Sequence, residues 1–248
     1  MMKFLLLLAL LFSIHCEDLL FEKVHLVEYN TTTGNFFFRG NLPVLNESFA
    51  FDTLSAYMKN RSEAVGVAFP EDFSLLDFSL LWIVEEPFTD YKYEYNFWKT
   101  DESKTIGSFV EWPISFSGLV TPDMMPLSWA EASAKRFVEI DGMEEKVQRI
   151  HEILSTKLDK PQIIYAHCHY GCDRTGLMIG AYRMYYYDIK VEDMYQRNRE
   201  ECGRTENFMA TESLKWFCLM LKEERNKDYG DCVGFASCVP WDYCTVNF

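Results

Sequence analysis

The sequence predicts an α/β fold, with helices packed on a partly parallel sheet and a cysteine-rich C-terminal tail. Three observations predict it. Short apolar runs with β-branched residues alternate with stretches of helical period. One such run, "KPQIIYAH", passes through the glycine-containing loop "CHYGCDR" directly into the apolar helix "TGLMIGAYRMYYY". The chain has 248 residues, 48% of them hydrophobic, enough for one large domain with its own core.

In chain order, "NFFFRGNLPV" (Asn35–Val44) predicts a strand running into a turn. Phe49–Met58 predicts a helix with Leu54 and Met58 on one face. "AVGVAF" (Ala64–Phe69) and "LLWIVEE" (Leu80–Glu86) read as buried strands. "YKYEYNFWKTDESK" reads as a loop, and "GSFVEWPI" as a strand stopped by Pro113. A long loop, "SFSGLVTPDMMP", leads to a helix that a capping box at Ser128 to Glu131 should start. Asp141-Gly142 interrupts that helix, and a second one carries Val147, Ile150 and Leu154 on one stripe. After the strand–loop–helix unit, Leu214, Phe217 and Leu221 mark a final helix.

The first sixteen residues, "MMKFLLLLALLFSIHC", have one lysine and an apolar run too short to span a bilayer. They are expected to be a signal peptide. Residues 17–225 are then expected to form the main domain and 226–248 a cysteine-containing tail. No later run is long enough to span a membrane stably. Sequons at Asn30, Asn46 and Asn60 fit a secreted or lumenal glycoprotein. Cys232, Cys238 and Cys244, with Cys202 and Cys218 upstream, read as a disulfide-pinned C-terminus. The net charge of −14 disfavours nucleic acid and anionic membrane surfaces as partners.

The segment "AHCHYGCDRTG" (Ala166–Gly176) concentrates the chemistry. His167, Cys168, His169 and Cys172 are all competent metal ligands. Neighbours on a strand point to opposite faces, however, and Arg174 would set a fixed positive charge beside the cation. An inert buried cysteine leaves Gly171, Arg174, Thr175 and Gly176 without a joint reason. A phosphate cradle accounts for all of them. Strand, tight loop and helix turn backbone N–H groups inward around an anion, and the helix N-terminus adds about half a positive charge. Arg174 adds a planar fork for two phosphate oxygens. Cys168, at the loop's start, is then favoured as a thiolate that attacks phosphorus in line.

These residues resemble the phosphate loop of the cysteine-dependent protein tyrosine phosphatases: His-Cys, five residues, Arg, Ser/Thr, usually Gly. The "DRTG" ending is most like the compact dual-specificity and atypical members. The resemblance implies a central, mostly parallel sheet flanked by helices and a reaction without metal or cofactor. It implies Cys168 as nucleophile, Arg174 as phosphate clamp, and His169, Tyr170, Gly171, Cys172 and Asp173 as the rest of the phosphate-binding loop. His167 would position the cysteine and Thr175 would assist release of phosphate.

The family's general acid is commonly Trp-Pro-Asp, where this chain has Trp112-Pro113-Ile114. Asp123 is expected to replace it, because its loop leaves the strand expected to neighbour the catalytic one. Asp141 and Asp173 compete for the role. Asp173 has a second reading, bonded to the loop or to a nearby cation. Cys172, four residues from Cys168, reads either as a reversible disulfide partner protecting it or as an inert space-filler.

The substrate implied is a phosphorylated protein or small phosphomonoester. With no lysine in the loop, a singly phosphorylated group such as phosphotyrosine is favoured over a polyphosphorylated lipid. Two alternatives stand beside phosphatase activity: a pseudophosphatase binding phosphorylated ligands without turnover, and a thiol oxidoreductase using Cys168 and Cys172.

Overall fold

The computed structural model describes residues 18–81, 88–115 and 117–234. The expected signal peptide, Trp82–Glu86 of one predicted strand, and Cys238 and Cys244 lie outside them.

Five strands form the main sheet in the order β1-β2-β7-β5-β6. They are β1 (His25–Tyr29), β2 (Phe36–Asn41), β5 (Ser74–Ser79), β6 (Gly107–Glu111) and β7 (Gln162–Cys168). The short pair β3 (Val44–Leu45) and β4 (Ser48–Phe49) stands apart as a hairpin. β2, β7, β5 and β6 run parallel, and only β1 is antiparallel. The fold is therefore α/β with a mostly parallel central sheet flanked by helices.

The central strands are covered on both faces, which is why "FFF" and "IIYAHC" read as continuous apolar runs. One face holds Phe36, Phe38, Leu75, Ile163 and Tyr165 under Leu54 and Met58 of α1 (Phe51–Ala64). The other holds Phe37, Phe78, Ile164, Ala166 and Cys168 in the larger core. That core also takes residues of α4 (Leu127–Ile140), α5 (Met143–Ser155), α6 (Asp173–Tyr187) and α8 (Phe208–Arg225). Every α6 residue from Arg174 to Met184 is buried, as its all-round apolar sequence implies. Between α5 and α4, Gly142 takes the left-handed conformation that separates the two helices.

Several expectations need correction. Ala64–Phe69 is not a strand: Gly66, at positive φ, ends α1, and Val65 is left exposed. Leu80 and Leu81, the described residues of the strand expected at Leu80–Glu86, lie just past a strand that was not expected, Ser74–Ser79, which buried Asp77 and Ser79 disguise. The segment read as a loop at Tyr91–Lys104 holds most of α2 (Phe88–Phe97) and the start of α3 (Ser103–Ile106). There the Phe97 ring stacks on Phe49 at 4.4 Å. The capping box does not form. α4 begins two residues earlier than that box would set it, with Pro126 at the N-cap and no side-chain cap.

β6 neighbours β5 rather than β7, so the reason given for Asp123's loop fails. Two elements carried no sequence expectation. One is the edge strand β1; the other is α7 (Val191–Cys202), ended by Gly203 at positive φ.

Disulfides join Cys172 to Cys202 and Cys218 to Cys232. The second ties the beginning of the tail to α8, as expected; the first takes Cys202 away from the tail. Among the described residues no helix is long and apolar enough to cross a membrane.

Candidate active site

Cys168 is the last residue of β7, and the loop 169–172 carries the chain into α6 at Asp173. The cysteine is 3% exposed and is the free cysteine of the described residues. The loop is held by its carbonyl oxygens. That of Gly171 accepts from Arg39 Nη2 of β2 at 2.8 Å. That of His169 accepts from the Leu42 amide at 3.2 Å, and that of Cys172 from the Gly176 amide at 2.7 Å. Carbonyls turned toward β2 and the helix leave the amides of Gly171 and Cys172 without a protein acceptor among the described residues. Backbone N–H groups so freed are what an anion recruits.

Two glycines make this geometry fit. Gly171 sits at φ 68°, and a Cβ there would lie 2.6 Å from the Gly40 carbonyl oxygen. A Cβ on Gly176 would lie 1.9 Å from Glu206 Oε1.

Arg39 is wholly buried in an apolar strand, a position that requires partners. Besides the loop carbonyl it donates to Asn198 Oδ1 at 3.0 Å and pairs with Glu201. Arg183 clamps the same Glu201 carboxylate at 2.7 and 3.0 Å. Burial works against the charge of Glu201, but Arg39 and Arg183 outweigh it and hold its pKa down at about 2. Nothing in the sequence reading identified this bracket. Its one signal was an arginine inside "NFFFRGN".

Arg174, 6% exposed, sits one residue into α6 and donates from Nε to the Ile114 carbonyl at 3.2 Å. The turn at Ile114 crosses the end of β5: the Trp112 amide bonds to the Ser79 carbonyl, and the Ile114 amide to Leu80. The Trp-Pro-Ile segment therefore reaches Arg174 although β6 is an edge strand. Of the other expected residues, His169 is buried, Tyr170 is 43% exposed beside it, and Thr175 is buried with its hydroxyl unpartnered among the described residues.

The three candidate acids have different surroundings. Asp173 makes a two-pronged ion pair with Arg204, at 3.0 and 2.7 Å, and accepts from the Asn207 amide at 2.6 Å. That is the cation-bonded reading of Asp173. Asp141 is 6% exposed and accepts from the Ser115 amide and hydroxyl at 2.9 and 2.7 Å, bracing the turn that meets Arg174. Asp123 is exposed and accepts from the neighbouring Thr121 hydroxyl. Around it, Trp216 donates to the Val120 carbonyl at 2.6 Å and the Gly118 amide to Ser213, so its loop is seated on α8.

Cys172 is bonded to Cys202, so both readings of it, as a reversible partner of Cys168 and as an inert filler, are corrected. The dithiol pair needed by the oxidoreductase reading is not formed. Across the sheet from Cys168, His167 Nε2 lies 2.7 Å from Glu94 Oε1 and 3.0 Å from Asp77 Oδ1, all three side chains fully buried. A metal ion could be offered these three donors. Contacts of 2.7 and 3.0 Å are also hydrogen-bond lengths between a ring N–H and carboxylate acceptors.

No protein-family model and no curated protein matches the chain. Among solved structures, it is similar to PTPMT1 at 13% identity and TM-score 0.39, over 82% of this chain and 99% of that one. It is also similar to a Cys→Ser variant of P. aeruginosa TpbA in complex with pTyr, at 10% identity and TM-score 0.34, over 81% and 96%. Cys168 closes a central parallel strand, the loop runs from it into a buried helix, and Arg174 stands in that helix's first turn.

Proposed function

We propose that the chain is a phosphatase that hydrolyses phosphate monoesters, phosphotyrosine or phosphoprotein foremost, through a cysteinyl-phosphate intermediate. The observation that carries this reading is the loop whose carbonyls are tied outward by Arg39, Leu42 and Gly176 around Cys168. Cys168 Sγ attacks phosphorus, and the bond to the leaving oxygen breaks. Arg174 and the loop amides hold the equatorial oxygens. An acid gives the leaving oxygen its proton; water then attacks phosphorus, that same group takes the proton, and the thiol is restored.

Asp123 is assigned as that acid. Asp173 is committed to Arg204 and Asp141 to Ser115, whereas Asp123 is exposed and bonded only within its own turn among the described residues. Tyr170, exposed at the rim, lines the substrate's approach. Residues 17–225 are the catalytic domain, and 226–234 pack onto it through the Cys218–Cys232 bond and Tyr229. Two disulfides fit an oxidising compartment, so we assign the protein to the secretory pathway, with residues 1–16 as its signal and Asn30, Asn46 and Asn60 as glycan acceptors.

A second reading, a pseudophosphatase, is favoured by one observation: this chain has Trp112-Pro113-Ile114 where the resembled family commonly carries its acid as Trp-Pro-Asp. Turnover of p-nitrophenyl phosphate separates the two, because that leaving group needs little protonation. The phosphatase releases nitrophenol and loses this activity in Cys168→Ser. Phosphate binding with no nitrophenol from the wild type identifies the binding protein instead.

A further inference from the structure

β7 alternates its side chains, so His167 points away from Cys168, to the face of the sheet that carries Tyr165. Three donors from three elements meet there. His167 Nε2 lies 2.7 Å from Glu94 Oε1 of α2 and 3.0 Å from Asp77 Oδ1 of β5, and all three side chains are fully buried. The lengths suit hydrogen bonds, yet none forms: Nε2, Oε1 and Oδ1 are each buried without a hydrogen-bond partner among the described residues. A ring nitrogen offers one proton in one direction, and two carboxylates from different elements converge on this one. The other oxygen of each carboxylate is already occupied. Trp98 Nε1 donates to Asp77 Oδ2 at 2.8 Å, and the Ser79 hydroxyl to Glu94 Oε2 at 3.1 Å. Each carboxylate is thus held from behind, with its free oxygen turned to a common point. Nδ1 of the ring has no acceptor among the described residues, and lacks one with a bound proton or a bound ion alike.

The charge balance points the same way. No lysine or arginine pairs with Asp77 or Glu94 among the described residues. With both carboxylates ionised, even a protonated His167 leaves the buried cluster one negative charge in excess, and burying an uncompensated charge is costly. A divalent cation bound to a neutral ring and two carboxylates brings the cluster to zero.

We propose that Asp77, Glu94 and His167 form a structural site for a divalent transition-metal ion, zinc foremost. Nε2, Oδ1 and Oε1 bind it, one nitrogen and two oxygens, a donor set that zinc accepts. Bonds of about 2.0–2.2 Å set tetrahedral donors about 3.3 Å apart, so the trio opens by roughly 0.3–0.6 Å around the ion. Trp98 and Ser79 supply the outer hydrogen bonds that orient ligating carboxylates. The ion joins β5, α2 and β7 on the face of the sheet opposite Cys168, so it stands apart from the phosphatase reading. With its ligands fully buried, it enters as the chain folds and leaves when the chain unfolds.

The test is the metal content of the folded chain after gel filtration in EDTA, measured by plasma mass spectrometry. It is measured on the protein as isolated and on protein unfolded in urea with EDTA, then refolded with zinc sulfate. About one equivalent of zinc or another divalent transition metal per chain is expected. X-ray absorption at that metal's edge should show nitrogen and oxygen neighbours at about 2.0–2.2 Å, one of them an imidazole, and no sulfur. Glu94→Gln and Asp77→Asn should each weaken zinc retention by at least about tenfold. Because either variant can fail to fold, the absorption spectrum of the wild type decides the ligands without them. Wild type that neither holds nor takes up an equivalent of metal overturns the proposal. So does sulfur in the metal's shell, or full retention of the metal in folded variants. None of these readouts involves turnover, so a failed phosphatase assay leaves the metal site standing, and a missing metal leaves the phosphatase reading standing.

Discussion

Cys168 and Arg174 stood out in the sequence because their spacing suits a loop that closes around one phosphate, the reading we propose. The residues that hold the loop were not, because they come from distant parts of the chain: Arg39 from β2, Asn198 and Glu201 from α7. No short spacing betrays such a bracket. Replacing Arg174 with Ala should lower kcat/KM for aryl phosphate by at least about a hundredfold, since a fork on the transferring group is lost. Among the aspartates, Asp123→Asn should remove the basic limb of the pH–rate profile. It should also cost about a hundredfold or more on substrates with poor leaving groups. Asp173→Asn should keep that limb, because the carboxylate serves Arg204. Retention of the limb in Asp123→Asn would move the assignment to Asp141.

At the scale of elements, hydrophobic period located the strands and helices that are apolar throughout and misread those that carry buried polar groups. β5 was missed because Asp77 and Ser79 interrupt its apolar run, and α2 because Glu94 sits among tyrosines. These are the residues that surround His167, so the error in the fold and the unread part of the site have one cause. α7 was unread because its sequence is mostly polar, with Val191, Met194, Asn198 and Cys202 on the buried side. Its last residue is bonded to Cys172, which links the loop after Cys168 to a second element. The bond closes a segment 30 residues long. Replacing Cys202 with Ala should lower stability by about 3–4 kcal/mol in urea unfolding. Mild peroxide should then produce a Cys168–Cys172 bond in that variant and none in the wild type, where Cys172 is already occupied. A Cys168–Cys172 bond in the wild type would contradict the pairing.

The molecule as a whole carries several buried charges, and their signs fix how stability follows pH. Glu201, held down at about 2, contributes stability above the ordinary carboxylate range that is lost as pH falls through about 2. Glu206 is the opposite case: burial, opposed by Arg39 and reinforced by Asp173, raises its pKa to about 8. The folded chain keeps a proton there that the unfolded chain gives up, so this contribution weakens as pH rises through 8. Together they place the stability maximum at about pH 4–5, and Glu206→Gln should flatten the decline between there and pH 8. Urea midpoints that climb steadily from pH 5 to pH 9 would contradict these assignments. The most direct test of the chemistry is the mass of the Cys168 peptide from protein quenched in acid during turnover of an aryl phosphate. The account predicts one added phosphoryl group on that peptide, absent in Cys168→Ser. Turnover that proceeds with the sulfur never modified, and at the same rate in the serine variant, would contradict it.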